Sequence, residues 1–155
     1  MDRVNILATE PSYDETDPDG YRAGMDRFGN RIGARRIGGS VYELPAGESI
    51  CPYHYELGDE EWLIVLSGRP TIRTPKGSHR LEPGDTVCFP EGPDGAHKVT
   101  NDESDTARVL MLSTRRLPSV AIYPDSDKVG VWEGYGAPLG LYRRGETVGY
   151  YDGET

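Results

Sequence analysis

Two histidines and a group of carboxylates carry most of the chemistry in this chain. His54 and Glu56 lie two apart in CPYHYEL, Glu60 and Glu61 follow the LGD segment at 57–59, and His97 stands behind a Gly- and Pro-rich loop in FPEGPDGAHKVTN. In a strand, side chains two apart share a face at about 6 to 7 Å, so His54 and Glu56 point one way and Tyr53 and Tyr55 the other. A turn at LGD returns the start of EEWLIVL beside them, where Glu60 or Glu61 joins the pair, and His97 opens a later strand. Two imidazoles with at least one carboxylate match the facial set that holds Fe(II) and leaves coordination positions open. The plain alternative is that His54 and His97 are polar residues at strand ends and the glutamates a solvated face. His79, in PKGSHRL, has no acidic or histidine partner nearby in sequence and reads as a solvated hairpin position.

The elements that must position these residues are short. The 20 Gly and 12 Pro interrupt every apolar pattern before it runs for the three turns of an average helix, which predicts an all-β chain. Strands are expected near 37–44, 51–56, 61–67, 70–75, 85–90, 96–101, 107–113 and 118–123, with turns at PKG and EPGD. Eight short strands suggest a sandwich or barrel over residues 36–123. Residues 1–35 read as an N-terminal arm in which VNIL could form an isolated strand. Residues 124–155 read as a tail that packs back on the barrel in short irregular pieces. In WLIVL, Trp62, Ile64 and Leu66 share one face and Leu63 and Val65 share that of Glu61, so the strand is expected to lie in the core on both faces.

Composition narrows the partners. A chain of 155 residues fits one domain, and its net charge of −9 repels phosphate backbones and anionic lipid surfaces. No nucleic acid and no membrane partner is expected. MDRVNILATEPSY lacks a basic segment followed by an apolar stretch, so the expectation is a cytoplasmic protein whose two cysteines, Cys51 and Cys88, stay reduced.

The segment from Gly47 to Asn101 resembles the two motifs of the cupin superfamily. Gly47, His54, Glu56, Glu61 and Gly68 fall in the places of the first, with six residues between Glu61 and Gly68; Gly84, Pro90, Gly92, His97 and Asn101 match the second, with four residues between Gly92 and His97, two more than usual. The resemblance implies a jelly-roll β-barrel with a metal at its centre, and it carries the ligand role onto His54, Glu61 and His97. Glu56 stands where the family most often has its second histidine. A carboxylate there is either a fourth ligand or the sign of a barrel that holds metal weakly. Two histidines with two carboxylates favour iron, manganese or nickel, with zinc possible.

The resemblance implies a small-molecule enzyme of the dioxygenase, decarboxylase or sugar or sugar-phosphate isomerase type. The alternative is a non-catalytic module that binds a small molecule or a metal. Phosphosugar chemistry would need basic residues at the barrel mouth; Arg35, Arg36, Arg73, Arg80 and Arg108 are available. The barrel's exposed sheet edges and an arm able to pair with a neighbour's edge lead to the expectation of a homodimer.

Overall fold

Glycine and proline punctuate the chain into strands too short to stand alone, and each therefore needs neighbours on a sheet. The structure, a computed structural model, describes residues 1–134, 136–145 and 147–154. Among them the strands are β1 (Gly24–Asp26), β2 (Ile37–Leu44), β3 (Tyr55–Leu57), β4 (Glu61–Ser67), β5 (Thr71–Thr74), β6 (Gly77–Arg80), β7 (Thr86–Phe89), β8 (Lys98–Thr100), β9 (Ala107–Thr114), β10 (Ser119–Tyr123), β11 (Lys128–Trp132) and β12 (Gly140–Arg143). Helix is limited there to short 3-10 turns such as Gly29–Ile32 and Pro93–Gly95.

One sheet runs β1-β2-β9-β4-β7, a second β12-β11-β10-β3 and a third β6-β5-β8, with antiparallel pairing throughout. The second and third meet through the backbone bridge between His54 and His97. The His54 N–H donates to the His97 carbonyl at 3.1 Å, and the His97 N–H returns the bond at 2.8 Å. The result is an all-β jelly roll. Its core is the cluster of Leu44, Leu63, Val65, Ile72, Leu81, Phe89, Val99 and Val109, buried between facing sheets.

Two motif residues have plain structural duties. Gly68 adopts φ 75°, and a Cβ there would lie 2.6 Å from the Ala107 Cα, so only glycine fits where β4 turns past β9. Asn101 is fully buried, and its amide donates to the Leu44 and Asp105 carbonyls at 2.9 Å each while its oxygen accepts from the Glu103 N–H at 3.1 Å. It closes the loop between β8 and β9 onto the end of β2.

The expected strands are present with shifted ends, and β6 adds one at the PKG turn, where His79 is exposed as expected. The run at 51–56 shrinks to β3 because Cys51–Tyr53 bend around Pro52, which has no N–H to give a ladder. Trp62 departs from the expected core position: it is 43 % exposed, and its indole N–H donates to Glu60 at 2.8 Å. The sheet holding β4 is covered on the Leu63–Val65 face alone at this point. VNIL forms no strand; Ile6–Ala8 is a 3-10 turn capped by the Asn5 side chain. The Arg108 guanidinium holds this part of the arm, donating to the Leu7 and Thr9 carbonyls and to the Thr9 hydroxyl. The tail's short pieces include β11 and β12, which extend the second sheet outward from β10.

Candidate metal centre

The three residues that could hold a metal sit at strand beginnings. His54 immediately precedes β3, Glu61 is the first residue of β4, and His97 immediately precedes β8. Alternation along β4 sends Glu61 to the same inner face as Leu63 and Val65, while the mutual bridge fixes the two histidines side by side, ring centroids 4.7 Å apart. Phe89 stacks on the His97 ring at 3.7 Å and Tyr123 on the His54 ring at 5.9 Å.

Both imidazoles are oriented from behind. His54 Nδ1 lies 3.0 Å from the Pro52 carbonyl and His97 Nδ1 2.9 Å from the Gly95 carbonyl. A carbonyl only accepts, so each Nδ1 carries the proton and each Nε2 turns a lone pair inward, the arrangement seen behind metal-bound histidines. Glu61 Oε2 lies 3.8 Å from His54 Nε2 and 3.6 Å from His97 Nε2. One donor atom from each of the three falls within 4.8 Å of the others. Donors about 2.1 Å from a shared ion stand about 3 to 4 Å apart, so small side-chain movements would close this set on a divalent cation. The residues fit the group.

Glu56 shares this wall. Its Oε1 is 3.8 Å from His54 Nε2, and its Oε2 accepts from the Ser119 hydroxyl at 3.3 Å. The three-residue group closes without it. Glu60, the other carboxylate expected from the turn, faces outward and accepts from Trp62. Cys51 lies behind His54, 3.5 Å from Nδ1, and burial pushes its thiol up, so it stays protonated.

Electrostatics follow from burying acids and imidazoles together. Burial, then repulsion from Glu56 and Asp59, raises the Glu61 carboxyl to about 8. Burial and the Asp59 charge raise Glu56 to about 7, against the pull of the Ser119 hydroxyl. Burial lowers both histidines, His97 to about 3. The site thus disfavours every charged form it holds alone, and a divalent cation would relieve both carboxylates.

Two connected cavities open from here. The inner one, about 220 Å³, is lined by Tyr42, Cys51, His54, Glu61 and His97 among others. The outer cleft, about 390 Å³, shares Gly38, Ser40, Tyr42, Glu61 and Ser113 with it and continues past Glu56 and Asp59 to Arg27, Asn30, Arg115, Arg116 and Trp132. None of the arginines expected at the mouth lines this cleft. Arg73 is clamped by Asp125 and lies over the Tyr53 ring, Arg80 pairs with Glu103, and Arg108 holds the arm. Arg27, Asn30, Arg115, Arg116 and Asp59 were missed because they come from the arm, the β3–β4 turn and the far end of β9, which no short motif spans.

Residues 40–113 match the family model described as the cupin domain. Residues 40–113 are a cupin domain. Solved structures agree over most of the chain's length. A protein of Acidithiobacillus ferrooxidans described as a candidate sugar phosphate isomerase superposes with a TM-score of 0.80 at 25% identity, covering 92% of this chain and 90% of that chain. A sugar phosphate isomerase of Silicibacter pomeroyi superposes at 0.81 with 22% identity, covering 97% and 98%. The polyketide cyclase RemF of Streptomyces resistomycificus superposes at 0.62 with 21% identity, covering 77% and 83%. No curated protein matches the sequence.

Proposed function

We propose that this cupin-domain protein is a metal-dependent enzyme acting on a small sugar-like substrate, an isomerase of hydroxy-carbonyl compounds. One observation carries the reading: two imidazoles with inward Nε2 lone pairs converge on Glu61 at the base of a cleft whose wall holds a further carboxylate, Glu56. The likeness to the Acidithiobacillus protein over 92% of the chain supports the same class.

His54, Glu61 and His97 would hold the ion, with iron(II), manganese(II) or nickel(II) best suited to the set and zinc(II) also accommodated. Such an ion supplies Lewis acidity to adjacent carbonyl and hydroxyl oxygens. Glu56 takes the proton from the carbon beside the carbonyl and returns it to the neighbouring carbon, with one proton moving between the two oxygens in compensation. Tyr42, Ser40 and Ser113, which line both cavities, present hydroxyls that can orient the substrate's own. The Asp59 carboxylate, held by the Thr114 hydroxyl at 2.8 Å and the Arg116 N–H at 3.0 Å, fixes the turn beside Glu56.

A second reading follows from the same two-histidine, one-carboxylate set, which also suits an iron(II) dioxygenase. Elemental analysis of protein purified without added metal, followed by NMR of candidate aldoses and ketoses in D2O and an oxygen electrode, separates the two. Stoichiometric metal with deuterium entering the substrate carbon supports the isomerase. Oxygen uptake without isomerisation replaces it with the dioxygenase, and failure to bind any divalent metal overturns both.

A further inference from the structure

The outer cleft has a polarity that the inner site does not explain. Its deep wall carries Glu56, Asp59 and Glu61, while its rim carries Arg27, Arg115 and Arg116. In a chain of net charge −9, a cleft whose three guanidinium groups match its three carboxylates in number is locally rich in positive charge.

Two of the rim arginines, Arg27 and Arg116, have only weak partners. Asp59 accepts from the Arg116 backbone N–H and so anchors the turn that presents Arg115 and Arg116 together. The Arg116 side chain is 66% exposed and 3.9 Å from Glu91, itself 57% exposed, a pair worth little in water. Arg115 donates to the Asn30 side-chain oxygen at 2.9 Å, and both residues line the cleft. Arg27 is exposed, and its Nε donates to a weak acceptor, Met25 Sδ, at 3.3 Å.

We propose that Arg27, Arg115 and Arg116 form an anion subsite that holds the phosphate or carboxylate at one end of the substrate, while its uncharged, hydroxyl-bearing end lies against Glu56 and Glu61. The charge gradient fixes the direction. At the rim an anionic group meets planar donors whose fork matches its oxygens, whereas the deep wall offers it acidic side chains and no guanidinium. The inference names the substrate class for the isomerase reading and rests on that reading for the deep end alone, because the rim's chemistry needs no metal.

Calorimetry on the full-length chain, metal-free and metal-loaded, with glycerol 3-phosphate, glycerate and glycerol tests it. Either or both anions should bind in both forms, at least tenfold tighter than glycerol and more weakly as salt rises. The tighter of the two names the source of the charge. Arg27→Ala with Arg116→Ala should weaken anion binding at least tenfold with metal stoichiometry unchanged; Arg27→Gln and Arg116→Gln singly serve if the double variant misfolds. Anion affinity equal to that of glycerol, or unchanged in folded arginine variants, overturns the subsite even when metal binds. Anion binding that persists and depends on the arginines in a protein that takes no metal upholds the subsite and removes the isomerase reading.

Discussion

The inner pocket and the outer rim belong to one cavity, yet they are built by different rules. The inner pocket draws on residues inside or just before strands, held by ladder bonds and by carbonyls behind each imidazole. The rim draws on the arm, the end of β9 and the start of the tail, and its groups are largely exposed. A buried site gains geometry at an electrostatic cost, which here shows in the raised carboxyls and lowered imidazoles. The rim avoids that cost and keeps charges in water, where they can recognise an anion but cannot perturb one another strongly. On the proposed reading, chemistry belongs to the first region and selection to the second.

The largest effect that would break this division is loss of the ion. His54→Ala or His97→Ala should weaken divalent-metal affinity by at least about 100-fold, read by competition with a chromophoric chelator, while His79→Ala on exposed β6 should leave it unchanged. Equal metal content in all three would place the site elsewhere.

Next in size is the frame beneath the pocket. Asn101→Ala should lower stability by about 2 to 3 kcal/mol in urea unfolding, because it strips partners from the Leu44 and Asp105 carbonyls in a fully buried position. An effect below about 0.5 kcal/mol would show that the loop is held by other contacts.

A substitution at the boundary of the two regions sharpens the comparison further. Glu56→His adds a third imidazole beside His54 and should tighten zinc(II) or copper(II) binding by about tenfold if position 56 reaches the ion. No change in affinity would assign Glu56 to the substrate and its proton alone.

The pH dependence has a definite sign. The folded values of Glu61, about 8, and Glu56, about 7, lie above their ordinary carboxyl value of 4.5, so their contribution to stability is present at low pH and is lost as pH rises through those values. The two histidines act oppositely, since their lowered folded values add stability as pH climbs to about 6.5. Between about pH 6.5 and 8 the glutamates alone act, and the melting temperature of the metal-free protein should fall there. Saturating metal should flatten or reverse the slope, and metal uptake should release protons in the same window. A metal-free melting temperature that rises across it would contradict the buried carboxylates. The smallest effect is at the rim, where Arg116→Ala should shift stability by no more than about 0.5 kcal/mol, since its ion pair is open to water.

The local pattern in the sequence was enough to determine the all-β class and the approximate strands and to set Glu60 or Glu61 beside His54, while the choice of His54, Glu61 and His97 as one set rested on the resemblance. Strand alternation sets which side chains share a face, Gly and Pro set where strands stop, and the two motifs span the residues that the barrel closes upon. Gly68 and Asn101 were readable as motif positions, though the Ala107 backbone that excludes a Cβ and the carbonyls that Asn101 satisfies became visible only in the fold. Trp62 shows the limit in the other direction: an apolar residue on a strand carries no mark of whether a second sheet covers its face, and here that face is half open. The tertiary structure alone decided which arginines reach the cavity. Arg27 and Arg115 are 88 positions apart, so their proximity rests on β1 pairing with β2 and β2 with β9. Such juxtapositions come from sheet register, a long-range property that no residue spacing encodes.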